Sequence, residues 1–247
     1  MSFWNHRTLV LHPDFTGLDD FLLGLPERFA RQEGQLIHNG RNQLRRIDYK
    51  GTAYVVKAFH RPNFVNRFVY GVFRPSKAMR SYRNALLYLR IGVGTPRPVG
   101  YMNLRKGLLF DRSYFVTLAS DCPYRYEDLF TRHFDRQEDI LRAIARTTAC
   151  LHEHGLAHKD YGRANILFGE NAQGDIQIEI VDLNRMAVGP LDLQAGCKNF
   201  ERLPATPEMH RILADEYAKA RGFDAHRCLE LMQAYRRVQP GKIDNLY

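Results

Sequence analysis

Residues 151–184 read LHEHGLAHKDYGRANILFGENAQGDIQIEIVDLN, the most informative segment of the chain. It places an acid on a loop, Asp160, an amide shortly after it, Asn165, and a second acid, Asp182, after an alternating apolar run. Phosphoryl transfer from a metal-bound nucleotide needs such a set. One carboxylate orients the attacking hydroxyl and accepts its proton, while an amide and a second carboxylate hold the magnesium ions that bridge the phosphates. Any single acid here is more often a turn residue or a cap. The joint pattern H-x-x-G-x-x-H-x-D-x-x-x-x-N-I-L followed by I-V-D-L-N is seldom accidental.

Locally, Asn165-Ile166-Leu167-Phe168 reads as a strand, Asn171-Ala172-Gln173-Gly174 as a turn, and Ile176 to Val181 as the returning strand. That hairpin carries Asn165 and Asp182 on neighbouring strand ends, within reach of one or two magnesium ions. His152 and His158 read as packed, hydrogen-bonded histidines rather than metal ligands, His158 bracing the loop that carries Asp160.

This spacing resembles the catalytic and metal-binding loops of the protein-kinase-like fold. The fold class expected is α+β, two-lobed, with a small antiparallel-sheet N-lobe and a mostly helical C-lobe. The expected parts are an N-terminal extension (1–34), an N-lobe (35–119), a hinge (120–127) and a C-lobe (128–247). Gln35 to His38, Leu44 to Tyr49 and Tyr54 to Phe59 read as three strands. They are joined by Asn39-Gly40, where both residues tolerate positive φ, and by Lys50-Gly51. In a kinase-like fold the first hairpin covers the phosphates and a lysine on the third strand contacts them; Gly40 and Lys57 occupy those places. A lone lysine on a strand is a solvent-facing charge, and only the company of Asp160, Asn165 and Asp182 reverses that reading. G-x-G-x-x-G is absent.

Residues 76–90 carry a helix, capped by Ser76, with Met79, Tyr82, Leu86 and Leu89 on one face and Gly92 beyond its end. In active kinases this helix supplies a glutamate to the strand lysine. Here it holds no acid, and Arg83 stands where the glutamate is expected. Tyr114 to Leu118 reads as a strand leading into the hinge, whose backbone at Ala119 and Asp121 is expected to meet adenine. Helices follow at about Gln137 to His154, Pro207 to Arg221 and Ala225 to Gln239, and no A-P-E element or long activation segment follows Asp182.

Composition sets the wider limits. The chain has 247 residues, 45% of them apolar, enough for the core of one two-lobed domain. Apolar runs are only a few residues long, and the first residues lack a signal-peptide pattern, so a cytoplasmic location is expected. The four cysteines, Cys122, Cys150, Cys197 and Cys228, show neither a C-x-x-C pair nor a zinc rhythm and are expected to be free thiols. Net charge is +9, but residues 1–120 carry 19 basic and 7 acidic side chains while the remainder carry 17 and 20. A basic first half points to an anionic partner, such as nucleotide, acidic sugar or anionic membrane. Nothing beyond that charge favours nucleic acid, and no such partner is expected.

The chain also resembles the bacterial lipopolysaccharide core kinases, the Kdo and heptose kinase (InaA-like, WaaP-like) group of the kinase superfamily. The resemblance rests on LPERFARQEG (25–34), GRNQL (40–44), YVVKAF (54–59), NFVNRFVYGVFRPSKAMRSYRNA (63–85) and GVGTPRPVGY (92–101). It continues in HKDYGRANIL (158–167), VDLNRM (181–186) and KNFERL (198–203). It implies transfer of the γ-phosphate of ATP, with Mg2+, to a Kdo or heptose hydroxyl of the lipopolysaccharide core glycolipid. The place implied is the cytoplasmic face of the inner membrane, with the protein peripheral on that anionic surface. It further implies Asp160 as catalytic base, Asn165 and Asp182 as metal ligands, Lys57 on the α/β-phosphates, and Gly40 in the covering hairpin. The acid-free helix leaves open a kinase-fold regulatory module without turnover, and the motifs alone leave open another small-molecule or protein acceptor.

Overall fold

The computed structural model describes residues 6–61, 75–107 and 109–237. The chain folds as two compact units, Met1–Leu86 with Pro96–Ala119 forming one, and Leu87–Thr95 with Ser120–Tyr247 the other.

The first unit is built on an antiparallel sheet. Among the described residues its strands are β1 (His6–Leu11), β2 (Gln35–Asn39), β3 (Gln43–Tyr49), β4 (Thr52–Phe59), β5 (Pro98–Lys106) and β6 (Leu109–Leu118), in the order β1-β5-β6-β4-β3-β2. Period-two alternation sends Ile47, Tyr54, Val56, Met102, Leu104, Tyr114 and Val116 to one face. There they bury Phe21, Leu22 and Leu25 from two short helices, α1 (Asp19–Leu23) and α2 (Leu25–Ala30). Lys50 and Gly51 both take positive φ, 50° and 78°, which gives the two-residue β3–β4 turn the twist such hairpins favour. The β2–β3 hairpin forms differently from the sequence expectation. Its connection is three residues, Gly40 to Asn42, and neither Asn39 nor Gly40 takes positive φ; a bulge between Leu36 and His38 adjusts the register instead.

The N-terminal extension supplies a strand as well as the helices α1 and α2. β1 pairs with β5 along its whole length, His6 opposite Arg105 and Leu11 opposite Gly100. Arg45 on β3 is buried, and its Nη1 donates to the carbonyls of Gln32, Glu33 and Gly34 at 2.6, 3.2 and 3.0 Å. Burying a guanidinium is costly unless acceptors meet it, and the loop after α2 supplies three carbonyls to this Nη1. The helix α3 (Lys77–Arg90) begins where expected, with Ser76 Oγ accepting from the Met79 nitrogen at 3.0 Å.

The second unit is mostly helical. In α4 (Gln137–Glu153) the stripe Ile140, Ile144, Thr148 and Leu151 is buried, as its 3.6-residue spacing requires. It packs against α6 (Pro207–Arg221), which starts with Thr206 Oγ1 accepting from Met209 and stops at Gly222, φ 66°. Between them in sequence lies α5 (Leu193–Lys198), and α7 (Ala225–Arg237) packs on α6. Small sheets complete the unit: β10 (Ile176–Ile180), β9 (Ile166–Glu170) and β7 (Tyr124–Arg125) in one, β11 (Met186–Val188) and β8 (Leu156–His158) in another. The β9–β10 hairpin closes as read, with Asn171 Oδ1 accepting from the nitrogens of Gln173 and Asp175 and Gly174 at φ 81°. All four cysteines are free thiols. Among the described residues no helix is long and apolar enough to cross a membrane.

Candidate active site

The second unit gathers Asp160, Asn165 and Asp182 around one buried histidine. His158 ends β8 and is fully buried. The backbone nitrogen of Asp160 donates to its Nδ1 at 3.1 Å, so the ring proton sits on Nε2, which donates to the carbonyls of Val181 and Asp182 at 3.1 and 3.2 Å. Burial holds the pKa of His158 below the usual imidazole value against the upward pull of Asp182, in keeping with this neutral tautomer. One ring thus ties the loop of the first acid to the segment of the second.

Two further bonds bring in Asn165. Its Nδ2 donates to the Asp160 carbonyl at 2.8 Å, and its own carbonyl accepts from the Val181 nitrogen at 2.9 Å. Committing the amide nitrogen leaves Oδ1 as the ligand-type atom of that side chain. Asp182 adopts φ 61°, a left-handed conformation that Asp and Asn tolerate better than most residues, and its Oδ1 accepts from Asn184 Nδ2. Asn165 and Asp182 therefore fit a magnesium ion, which takes one or two protein oxygens and completes its shell with phosphates and water. Among the described residues no group of three or more His, Cys, Asp or Glu side chains is gathered as a metal cage.

A buried polar relay supports His158 from behind. Asn199 Nδ2 donates to the His158 carbonyl at 2.9 Å, and Asn199 Oδ1 accepts from His152 Nε2 at 3.0 Å. His152 Nδ1 then accepts from the Tyr217 hydroxyl at 2.8 Å, which accepts in turn from Arg221 at 3.0 Å. Burial pushes His152 down to about 4, so it too is neutral. Both histidines play the packed, hydrogen-bonded part expected of them.

The residues expected at the hinge have their own anchors. The N–H of Ala119 is committed to the Ala53 carbonyl at 3.0 Å, within the first unit. In the second unit, Asp121 is exposed and flanked by a fixed turn. Ser120 Oγ donates to the buried Glu179 carboxylate, Cys122 N donates to Ser120 Oγ at 3.0 Å, and Cys122 Sγ donates to the Gln177 carbonyl at 3.7 Å. Burial raises Glu179 above the usual carboxylate range and pushes the Cys122 thiol up to about 12. Lys57 lies on β4 with its Nζ 5.5 Å from the centre of the Phe59 ring, and Gly40 opens the β2–β3 turn with His38 lying against it. No acid is present in α3.

Asn184, Asn199, Arg185 and Arg202 also bond to these residues, although motif spacing does not single them out. Arg185 Nη1 lies 3.0 and 3.2 Å from the two oxygens of Asp160, and Arg202 Nη1 lies 3.2 Å from Oδ1. The signal was in VDLNRM and KNFERL, which hold all four residues, but nothing in spacing alone assigns those side chains to Asp160.

The comparisons with known proteins agree with this architecture. A family model described as the lipopolysaccharide kinase (Kdo/WaaP) family matches residues 28–235. Among solved structures, one titled WaaP in complex with acyl carrier protein has a TM-score of 0.63 at 17% identity, covering 97% of this chain and 99% of that one. A microcompartment-associated aminopropanol kinase has a TM-score of 0.57 at 14% identity, with 86% of each chain covered. At such identities the likeness shows the fold, which is α+β and kinase-like. A search of curated proteins finds no match. A sheet-built first unit, a helical second unit with its acids and amide drawn around His158, and a family model spanning nearly the whole sequence lead to one conclusion: the chain belongs to the lipopolysaccharide kinase (Kdo/WaaP) family.

Proposed function

We propose that this protein transfers the γ-phosphate of ATP to a sugar hydroxyl, of Kdo or of heptose, in the inner core of lipopolysaccharide. The observation that carries the proposal is the hydrogen-bonded cluster in which His158 joins the backbones of Asp160 and Asp182 and Asn165 bonds the Asp160 carbonyl. In this reading Asp160 orients the acceptor hydroxyl and takes its proton, and Asn165 and Asp182 hold Mg2+. Lys57 contacts the α/β-phosphates, Gly40 lies in the hairpin that covers them, and the backbone at Ala119 and Asp121 meets adenine. Held by Asn165 and Asp182, a magnesium ion would supply positive charge to offset that on the transferring phosphoryl group. The chain's own part is to position and deprotonate the hydroxyl, with His158 fixing the loop that carries the base.

The absence of an acid in α3 favours one rival, a kinase-fold module that binds nucleotide without turning it over. Incubating the protein with ATP, magnesium and lipid A–core from a strain lacking its gene separates the two. The proposal expects a gain of about 80 Da on the glycolipid, one phosphoryl group, and no gain with Asp160→Asn. Equal background turnover by both proteins would leave only the binding module. The basic first half supports attachment to an anionic leaflet, where each near-surface Lys or Arg adds about 1 kcal/mol. Vesicle binding that ignores both anionic lipid and salt would remove that part.

A further inference from the structure

Two arginines from separate segments converge on the side chain read here as the base. Arg185, just before β11, reaches both oxygens of Asp160, and Arg202, ending the turn Asn199–Arg202, reaches Oδ1. Asp160 is 25% exposed, while Arg185 and Arg202 are 59% and 47% exposed, so the guanidiniums open to solvent beside a recessed carboxylate. Among the neighbouring charges, Arg163 is taken by Glu127 at 3.5 Å, Lys159 is exposed, and Glu201 lies 3.9 Å from Nε of Arg202.

This arrangement has a chemical consequence. The carboxylate that must accept a hydrogen bond from an incoming hydroxyl already accepts from arginine on each oxygen, from both arginines on Oδ1 and from Arg185 on Oδ2. Exposed ion pairs are weak, and an anion arriving with the acceptor can take them over. Guanidinium forks match carboxylate and phosphate geometry, so the natural replacement is an anionic group on the same sugar as the hydroxyl. We infer that Arg185 and Arg202 are specificity residues that bind an anionic substituent, carboxylate or phosphate, of the acceptor sugar and thereby hand Asp160 to the neighbouring hydroxyl. The inference rests on the proposed sugar-kinase function and deepens it. In the step it serves, the hydroxyl proton passes to Asp160, the sugar oxygen bonds to the γ-phosphorus, and the bond from that phosphorus to the β–γ bridging oxygen breaks, releasing ADP.

The test uses the full chain with magnesium and ATP and two pairs of acceptors. One pair is the methyl glycoside of Kdo and its carboxamide, which differ in a carboxylate; the other is a heptose glycoside and its monophosphate. The wild-type protein is expected to prefer the anionic member of one pair by about tenfold or more in kcat/KM. Arg185→Gln and Arg202→Gln should each bring that ratio close to one, chiefly through the KM of the anionic acceptor. Arg185→Lys should retain part of the preference, and the KM for ATP should stay put. No preference in either pair, or variants that lose kcat equally on both members while keeping the ratio, would overturn the inference; the arginines would then only brace the loop. Absence of transfer to every acceptor would instead count against the sugar-kinase reading. In that event calorimetric titration of the same compounds decides the arginines separately. Selective binding of an anionic member, lost in Arg185→Gln, supports them, and its absence overturns them.

Discussion

Nδ1 of His158 accepts the backbone N–H of Asp160 at 3.1 Å, and this one bond fixes the tautomer that lets the other ring nitrogen hold the Asp182 segment. Replacing the ring removes partners from one donor and two carbonyls at once. A buried polar group left unpaired costs about 1–3 kcal/mol. His158→Ala is therefore expected to lower the urea midpoint measurably and to cut kcat by about tenfold or more. A variant with reduced stability but untouched kcat would show that His158 supports the fold and not the base.

Two buried histidines set an acid limit on stability. Burial lowers His152 and His210 from 6.5 to about 4, because the imidazolium is disfavoured away from water. As pH falls, the unfolded chain takes up these protons first, so stability is full above about pH 6.5 and declines toward pH 4. Each group contributes up to about 3 kcal/mol to that decline. Urea midpoints at about pH 7.5, 6 and 5 should fall in that order, and His210→Gln should flatten the trend. A pH-independent midpoint would contradict it.

Backbone conformation at Asp182 can be separated from its chemistry. At φ 61° an asparagine is tolerated and keeps an acceptor for Asn184, whereas alanine is strained by about 1–2 kcal/mol. Asp182→Asn should melt close to wild type but lose magnesium-dependent transfer, and Asp182→Ala should melt a few degrees lower. Coincident melting curves for the two variants would argue against the strain.

Gly196 lies in α5, where alanine ordinarily favours a helix by about 1 kcal/mol. A Cβ there would run into the Tyr217 hydroxyl and come within 3.4 Å of His152 Nδ1. Overpacking of that kind costs about 1–3 kcal/mol and breaks the Tyr217–His152 bond, so Gly196→Ala should destabilise. Differential scanning calorimetry reads the sign directly, and a raised Tm would refute it.

Long periodic elements were legible in the sequence because one face of each is buried: α4 announces itself through Ile140, Ile144, Thr148 and Leu151, and α6 through Thr206 and Pro207. The β9–β10 hairpin was legible from Asn171 and Gly174. β1 was not, since its residues are half exposed and its partner, β5, lies some 90 positions away. Three-residue strands such as β8 and β11 carry too little pattern to read. For the candidate site, residue types and spacing pointed to Asp160, Asn165 and Asp182. Arg185 and Arg202 join Asp160 only through folding, across sequence separations of 25 and 42.

His158 also bears on the thermodynamics of each encounter. Its ring and carbonyl hold the loop of Asp160, the Val181–Asp182 segment, Asn199 and, through strand pairing, Met186. Those segments are therefore ordered when the chain folds, and the conformational entropy of fixing them is spent once. A ligand arriving there meets a preorganised surface and has little backbone left to freeze. Its binding should accordingly show a small heat-capacity change, of the size expected for its own buried surface alone.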